Sequence, residues 1–177
     1  MKAPTTQEEV LELHRLSVAD PARFVKIANE WITADPTDAH AYFDRHFAWA
    51  RLGQTQQALE DINRSIELEP RPSAFWARGD LHRELGDYPR AAQDYAQGEA
   101  MDPQQWTADA FPLLYQADTY ARMGDQAMAL AYCARLPEDF WTPGHNGLPA
   151  GGKTEIAAEL RRRASDARSA GASPQSS

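Results

Sequence analysis

Two stretches of the chain decide its fold: Leu52–Pro70, LGQTQQALEDINRSIELEP, and Leu85–Pro103, LGDYPRAAQDYAQGEAMDP. Both run Leu-Gly, a polar pair, an Ala-centred amphipathic segment and a closing acidic-Pro step. Gly53 and Gly86, Ala58 and Ala91, and Pro70 and Pro103 are each 33 residues apart. A fixed period of this length marks stacked repeats, in which each unit buries its apolar face only against its neighbours. The period therefore predicts an all-α solenoid of antiparallel helix pairs.

Working outward, Tyr42, Trp49 and Leu52 mark a helix that stops at Gly53, where a residue without Cβ can take positive φ. Its partner carries Ala58, Leu59, Ile62, Ser65, Ile66 and Leu68. The next unit repeats the design with Phe75, Gly79, Leu81 and Leu85, then Tyr88, Ala91, Tyr95, Gly98 and Met101. A third follows with Leu113, Ala117, Tyr120 and Met123 before Gly124, then Ala129, Leu130 and Cys133. The offset to this unit is 38 residues, so about five are inserted near 104–109. Small residues at Ala58, Ala91 and Gly98 suit close helix approach.

Upstream, Thr6 and Glu9 form a capping pattern, and Asp20-Pro21 starts a second helix in which Phe24, Val25, Ile27, Ala28, Trp31 and Ile32 recur with helical spacing. Residues 6–36 thus read as a degraded first copy, with Ala19 in place of the turn glycine. Residues 1–5 are expected to be flexible. Clear repeats span 38–70, 72–103 and 108–136, the last stopped at Pro137.

Residues 137–153, PEDFWTPGHNGLPAGGK, read as one long loop that Phe140 and Trp141 pin by burial. A helix over 154–168 caps the solenoid, with Arg161, Arg162 and Arg163 largely outward and Glu159 placed to pair with Arg163. Residues 169–177 read as a disordered tail.

The chain has 177 residues, 26 acidic and 18 basic, a formal net charge of −8 and a single cysteine. That balance disfavours nucleic acid or an anionic membrane as partner, because phosphate neutralisation needs a basic face. No apolar run is long enough for a membrane span, and Cys133 cannot form an internal disulfide, so a cytoplasmic location is expected. The five histidines lack metal-site spacing, and Glu138 and Asp139 are adjacent rather than facing. Neither an enzyme nor a cofactor is indicated.

With these residues in place, the sequence resembles the tetratricopeptide repeat (TPR) family, whose unit is a helix pair of 34 residues. The resemblance rests on Tyr42, Trp49, Gly53, Ala58, Ile62 and Pro70, on Phe75, Gly79, Gly86, Ala91, Tyr95 and Pro103, and on the third unit's Leu113, Ala117, Tyr120, Gly124, Ala129 and Cys133. Arg45, Arg78 and His46 depart from the usual apolar or small residues. The resemblance implies a protein-protein interaction module, an adaptor or chaperone-like scaffold, with a concave groove for a partner peptide or helix. The groove positions it implies are His40, Phe43, Phe47 and Arg51; Trp76, Asp80, Arg83 and Glu84; Leu114, Asp118 and Arg122. The family's carboxylate clamp would have asparagines where Phe47, Asp80 and Asp118 stand. The expected ligand instead has an apolar anchor near Phe43, Phe47 and Trp76 and a basic group near Asp80 and Asp118.

Two other readings compete. Gly147-x-x-x-x-Gly152-Lys153-Thr154 satisfies the phosphate-loop expression, which would make the chain a nucleotide-binding protein. No buried strand leads into it, and Pro149 removes an amide from the cradle, so the alternative is a loop with Thr154 capping the last helix. The other is a structural, self-associating repeat protein. A monomer or weak homo-oligomer is expected.

Overall fold

The computed structural model describes residues 7–103, 110–144 and 147–171, and the side chains of α1 from Leu11 onward together with Glu8. The Thr6–Glu9 cap, residues 1–5, the inserted stretch at 104–109, His145 and the tail beyond 171 lie outside the described residues. Nine helices form among the described residues: α1 (Gln7–Ala19), α2 (Pro21–Ala34), α3 (Ala39–Arg51), α4 (Thr55–Leu68), α5 (Pro72–Glu84), α6 (Tyr88–Met101), α7 (Ala110–Arg122), α8 (Gln126–Ala134) and α9 (Lys153–Gly171). They are the paired helices of a TPR-like all-α fold with a closing C-terminal helix.

The repeat is legible down to single hydrogen bonds. Gly53, Gly86 and Gly124 have φ of 71°, 77° and 81°, the left-handed region that only glycine enters freely. After each, the next residue's amide reaches back five positions: Gln54 to Trp49 O at 2.9 Å, Asp87 to His82 O at 2.9 Å and Asp125 to Tyr120 O at 2.9 Å. That long bond satisfies carbonyls orphaned by the helix end. Asp87 and Asp125 then cap the following helices, accepting from Arg90 N at 3.3 Å and Met128 N at 3.0 Å. Turn and cap are thus one device, used repeatedly.

The chain divides into two compact units, Met1–Leu81 and His82–Ser177. In the first, α1 packs on α2, α2 on α3 and α3 on α4. Phe24, Val25, Ala28, Trp31, Ala41 and Ala48 form one cluster of its core. Ala58, Ile62, Ala74 and Leu81 form another. Ala58 is fully buried, and a larger side chain there would force the helices apart. Ser65 Oγ, also buried, donates to Ala39 O at 2.9 Å and ties α4 to the start of α3.

Arg45, the departure from the usual apolar residue, grips Asp61 of α4 through two bonds of 2.7 and 2.6 Å and reaches Asn29 of α2. An apolar position has been exchanged for a paired one. His46 is buried, with its Nδ1 against Phe43 O, and burial lowers its pKa to about 4.

In the second unit, α6 packs on α7, α7 on α8, and α9 on both α7 and α8. Its core holds Ala91, Tyr95, Leu113, Ala117, Ala129, Cys133, Ile156, Leu160 and Ala164. Cys133 lies inward as its position on the helix implied, and burial pushes its thiol pKa up.

Four details of the C-terminal region differ from expectation. The 137–153 stretch contains a two-stranded antiparallel ladder, β1 (Trp141–Thr142) with β2 (Gly151–Gly152), so it is not structureless. Trp141 does not pin this segment: it is 62% exposed, whereas Thr142 and Leu148 are buried and Phe140 meets Phe111 edge-on at 6.4 Å. Strand alternation sends adjacent side chains to opposite faces, so Trp141 and Thr142 could not both go inward. The last helix also runs three residues beyond 168, and Arg163 is turned inward rather than outward.

Candidate functional site

Of the expected groove residues, His40, Phe43, Phe47, Arg51, Trp76 and Asp80 fall in the first unit, and Arg83, Glu84, Leu114, Asp118 and Arg122 in the second. Each group is described separately.

In the first unit, Leu13, His14 and Ser17 of α1, Phe24 of α2 and Phe43, Asp44, Phe47 and Arg51 of α3 line a cleft of about 340 Å³. The spacing of the α3 residues explains why they share it. Positions i, i+3, i+4 and i+7 or i+8 recur on one face of a helix, and 43, 44, 47 and 51 follow that rule. Phe43 and Phe47 meet edge-to-face at 5.2 Å, and Phe47 remains 46% exposed. The Arg71 guanidinium lies 5.0 Å from the Phe43 ring centre, a cation–π contact that holds the ring. Three of the expected residues, Phe43, Phe47 and Arg51, are therefore brought together. His40 is exposed with its Nδ1 between Asp38 and Glu69, at 3.9 and 3.8 Å. Trp76 and Asp80 are half-buried.

Asp44 was not anticipated as a site residue. Burial raises its pKa to about 6, opposed more weakly by His40, Arg71 and His14 and assisted by the nearby Asp38 carboxylate. The signal for it was present in the spacing, since Asp44, Phe47 and Arg51 form one stripe. It was obscured because an aspartate inside an amphipathic helix ordinarily reads as solvated surface.

The second unit departs from the expected groove. Leu114 and Asp118 are completely buried instead of lying on an open surface. Asp118 accepts from Arg122 Nε at 2.8 Å and from Arg163 Nη1 of α9, and Arg83 stands 4.0 Å away. Arg83 is itself buried over the Tyr115 ring at 4.6 Å, and its Nε donates to Tyr95 at 3.3 Å. Arg163 also donates to Glu159 at 2.8 Å and to Gly147 O. Hydrogen bonding from Arg162, then Arg163, holds the Glu159 carboxyl at about 2. The basic group expected beside Asp118 is thus supplied by the chain's own arginines. Glu84 is exposed and Arg122 half-buried, with Arg122 Nη1 donating to Tyr88 at 3.2 Å.

The phosphate-loop expression does not form a phosphate cradle. Lys153 Nζ is paired with Glu138 at 2.7 Å and donates to Ala134 O at 3.1 Å. The Gly152 amide donates to the Glu155 carboxylate at 3.0 Å, filling with a side chain the position an anion would take at the helix start. The strand before it is a two-residue ladder and not a buried sheet strand. Among the described residues no group of three or more His, Cys, Asp or Glu side chains is arranged to hold a metal ion. No described helix is long and apolar enough to cross a membrane.

No family model matches the chain. Among curated proteins it is similar to Hsp70-Hsp90 organizing protein 3 of Arabidopsis thaliana, 31% identical over 80 residues, which is 45% of this chain and 14% of that protein. The Hsp70-Hsp90 organizing protein of Triticum aestivum is 30% identical over the same length. The chain thus spans about one seventh of the length of these relatives. Among solved structures, MamA residues 41-end from Desulfovibrio magneticus RS-1 has a TM-score of 0.67 at 15% identity, over 90% of this chain and 85% of that one. YrrB, a TPR protein with an unusual peptide-binding site, has a TM-score of 0.63 at 16% identity, over 89% and 83%. The fold is TPR-like. This is a fold used generally as a protein-protein interaction scaffold, with helix pairs as its working unit.

Proposed function

We propose that the chain is a non-catalytic adaptor or chaperone-like scaffold that holds a peptide or helix of a partner protein against the first helices of the repeats in its first unit. The observation that carries this reading is the α1–α3 cleft, where Phe43, Phe47 and Arg51 gather around an open apolar surface. An exposed phenylalanine beside a second aromatic in a recess is a natural anchor point, because aromatic side chains dominate binding energy where water is excluded. The name of the plant relatives points to chaperone organisation, and YrrB is described by its peptide-binding site. The carboxylate-clamp mode is not carried over, since Phe47, Asp80 and Asp118 occupy the asparagine slots.

Affinity capture from source-cell lysate tests the reading. Phe47→Ala, Trp76→Ala and Asp80→Lys are each expected to lose the partner retained by the unaltered chain, with helical content retained. If all three variants retain it, binding lies elsewhere, and the exposed Trp141 ladder becomes the surface to mutate.

A further inference from the structure

Several carboxylates of the first unit have structural tasks. Asp20 caps α2 through Arg23 N at 3.0 Å, Asp35 closes a turn on Thr37 at 2.9 Å and Asp38 caps α3 through His40 N at 2.9 Å. Asp61 is held by Arg45. Asp44 has no hydrogen bond or ion pair among the described residues, yet it is half-buried in the cleft wall. Removing a carboxylate from water without a partner is unfavourable. Such a group is relieved by a cation brought from outside. At the other end of the stripe, Arg51 is exposed and also lacks a hydrogen bond or ion pair among the described residues. Phe47 lies between them.

Resting on the groove reading above, we infer that this cleft takes a peptide segment with a lysine or arginine at the Asp44 end, an apolar side chain on Phe47 and an acidic side chain at the Arg51 end. Seven positions of α3 separate the two charges, about 10 Å along the axis at ~1.5 Å per residue. A partner meets that separation with seven positions on a helix, or with three in a polyproline-like segment at ~3.1 Å per residue. Opposite polarity at the two ends fixes the direction of the segment as well as its composition, because the reversed peptide places like charges together.

Selection of a random dodecapeptide display library on the full chain, followed by titration of synthetic winners, tests this. Enriched peptides are expected to carry Lys or Arg and Asp or Glu at one of those spacings, with an apolar residue between. Asp44→Asn should bind such a peptide about tenfold more weakly, the loss expected for a charge-assisted hydrogen bond. Asp44→Lys should regain affinity when the peptide's lysine becomes glutamate. Circular dichroism confirms that each variant is folded. Winners without a basic residue, or binding to Asp44→Asn within twofold of the unaltered chain, overturn the inference. If Phe47→Ala alone loses the peptide, the groove stands and Asp44 is not its cation receptor. If neither variant loses it, the groove reading falls too. A library without enrichment overturns the inference, while lysate capture with Phe47→Ala still judges the groove.

Discussion

Arg163 of α9 donates to the carboxylate of Asp118 on α7, 45 residues earlier in the chain. Asp118 is wholly buried, and Arg122 and Arg83 face it as well. A buried carboxylate with three guanidinium neighbours is stable only as a set, because each cation offsets desolvation that a single pair leaves uncompensated. This set fastens the last helix to the fourth helix pair and leaves Asp118 unavailable to a ligand in the described conformation.

Arg163→Ala is accordingly expected to cost about 2–3 kcal/mol, less than the ~3–5 kcal/mol of a lone buried pair, since Arg122 and Arg83 remain. Hydrogen exchange should show α9 losing protection before α3 and α4. Equal loss throughout the chain would count against a local latch.

Arg45 and Asp61 form the corresponding pair of the first unit, with side chains 18% and 6% exposed. Restoring the usual apolar residue by Arg45→Leu should destabilise by about 3 kcal/mol, because Asp61 is then buried without its partner. Arg45→Leu with Asp61→Leu should recover most of that loss. A double-mutant cycle by urea unfolding reads the coupling directly.

Asp44 and His46 give opposite pH dependences in overlapping windows. The Asp44 pKa is raised from 3.8 to about 6, so its neutral form is favoured in the fold; that stability is present below pH 4 and lost as pH rises through 6. Asp44→Asn should therefore stabilise the protein at pH 7.5, by about 1–3 kcal/mol, with the gain vanishing near pH 4. His46 is lowered from 6.5 to about 4, so its contribution is present above 6.5 and lost as pH falls through 4. The variant should lose stability on acidification more steeply than the unaltered chain. Urea midpoints across pH 4–8 check both signs.

Mg-ATP should leave the melting temperature unchanged, because Lys153 is engaged by Glu138 and the Gly152 amide by Glu155. A saturable rise lost in Lys153→Ala would revive nucleotide binding. Thermal shift over a nucleotide series measures it.

The 33-residue period, the turn glycines, the inward Cys133 and the pairing of helices were legible in sequence. Each depends on local spacing: helical periodicity, a positive φ, a cap three residues upstream of the amide it satisfies. Phe43, Phe47 and Arg51 were implied as groove positions by the resemblance to the repeat family, and their spacing places them on a single helix face. The tertiary structure decided matters that depend on residues distant in the chain. Arg163 read as solvent-facing until α9 was placed against α7, and Asp118 read as exposed until three arginines were found around it. Trp141 read as an anchor until its ladder with Gly151–Gly152 turned Thr142 inward instead. Asp44 looked like any helical aspartate until α1 and α2 walled in its face of α3. Periodicity along one helix sets which side chains share a face, but burial and pairing of a charge are set by whatever packs opposite it.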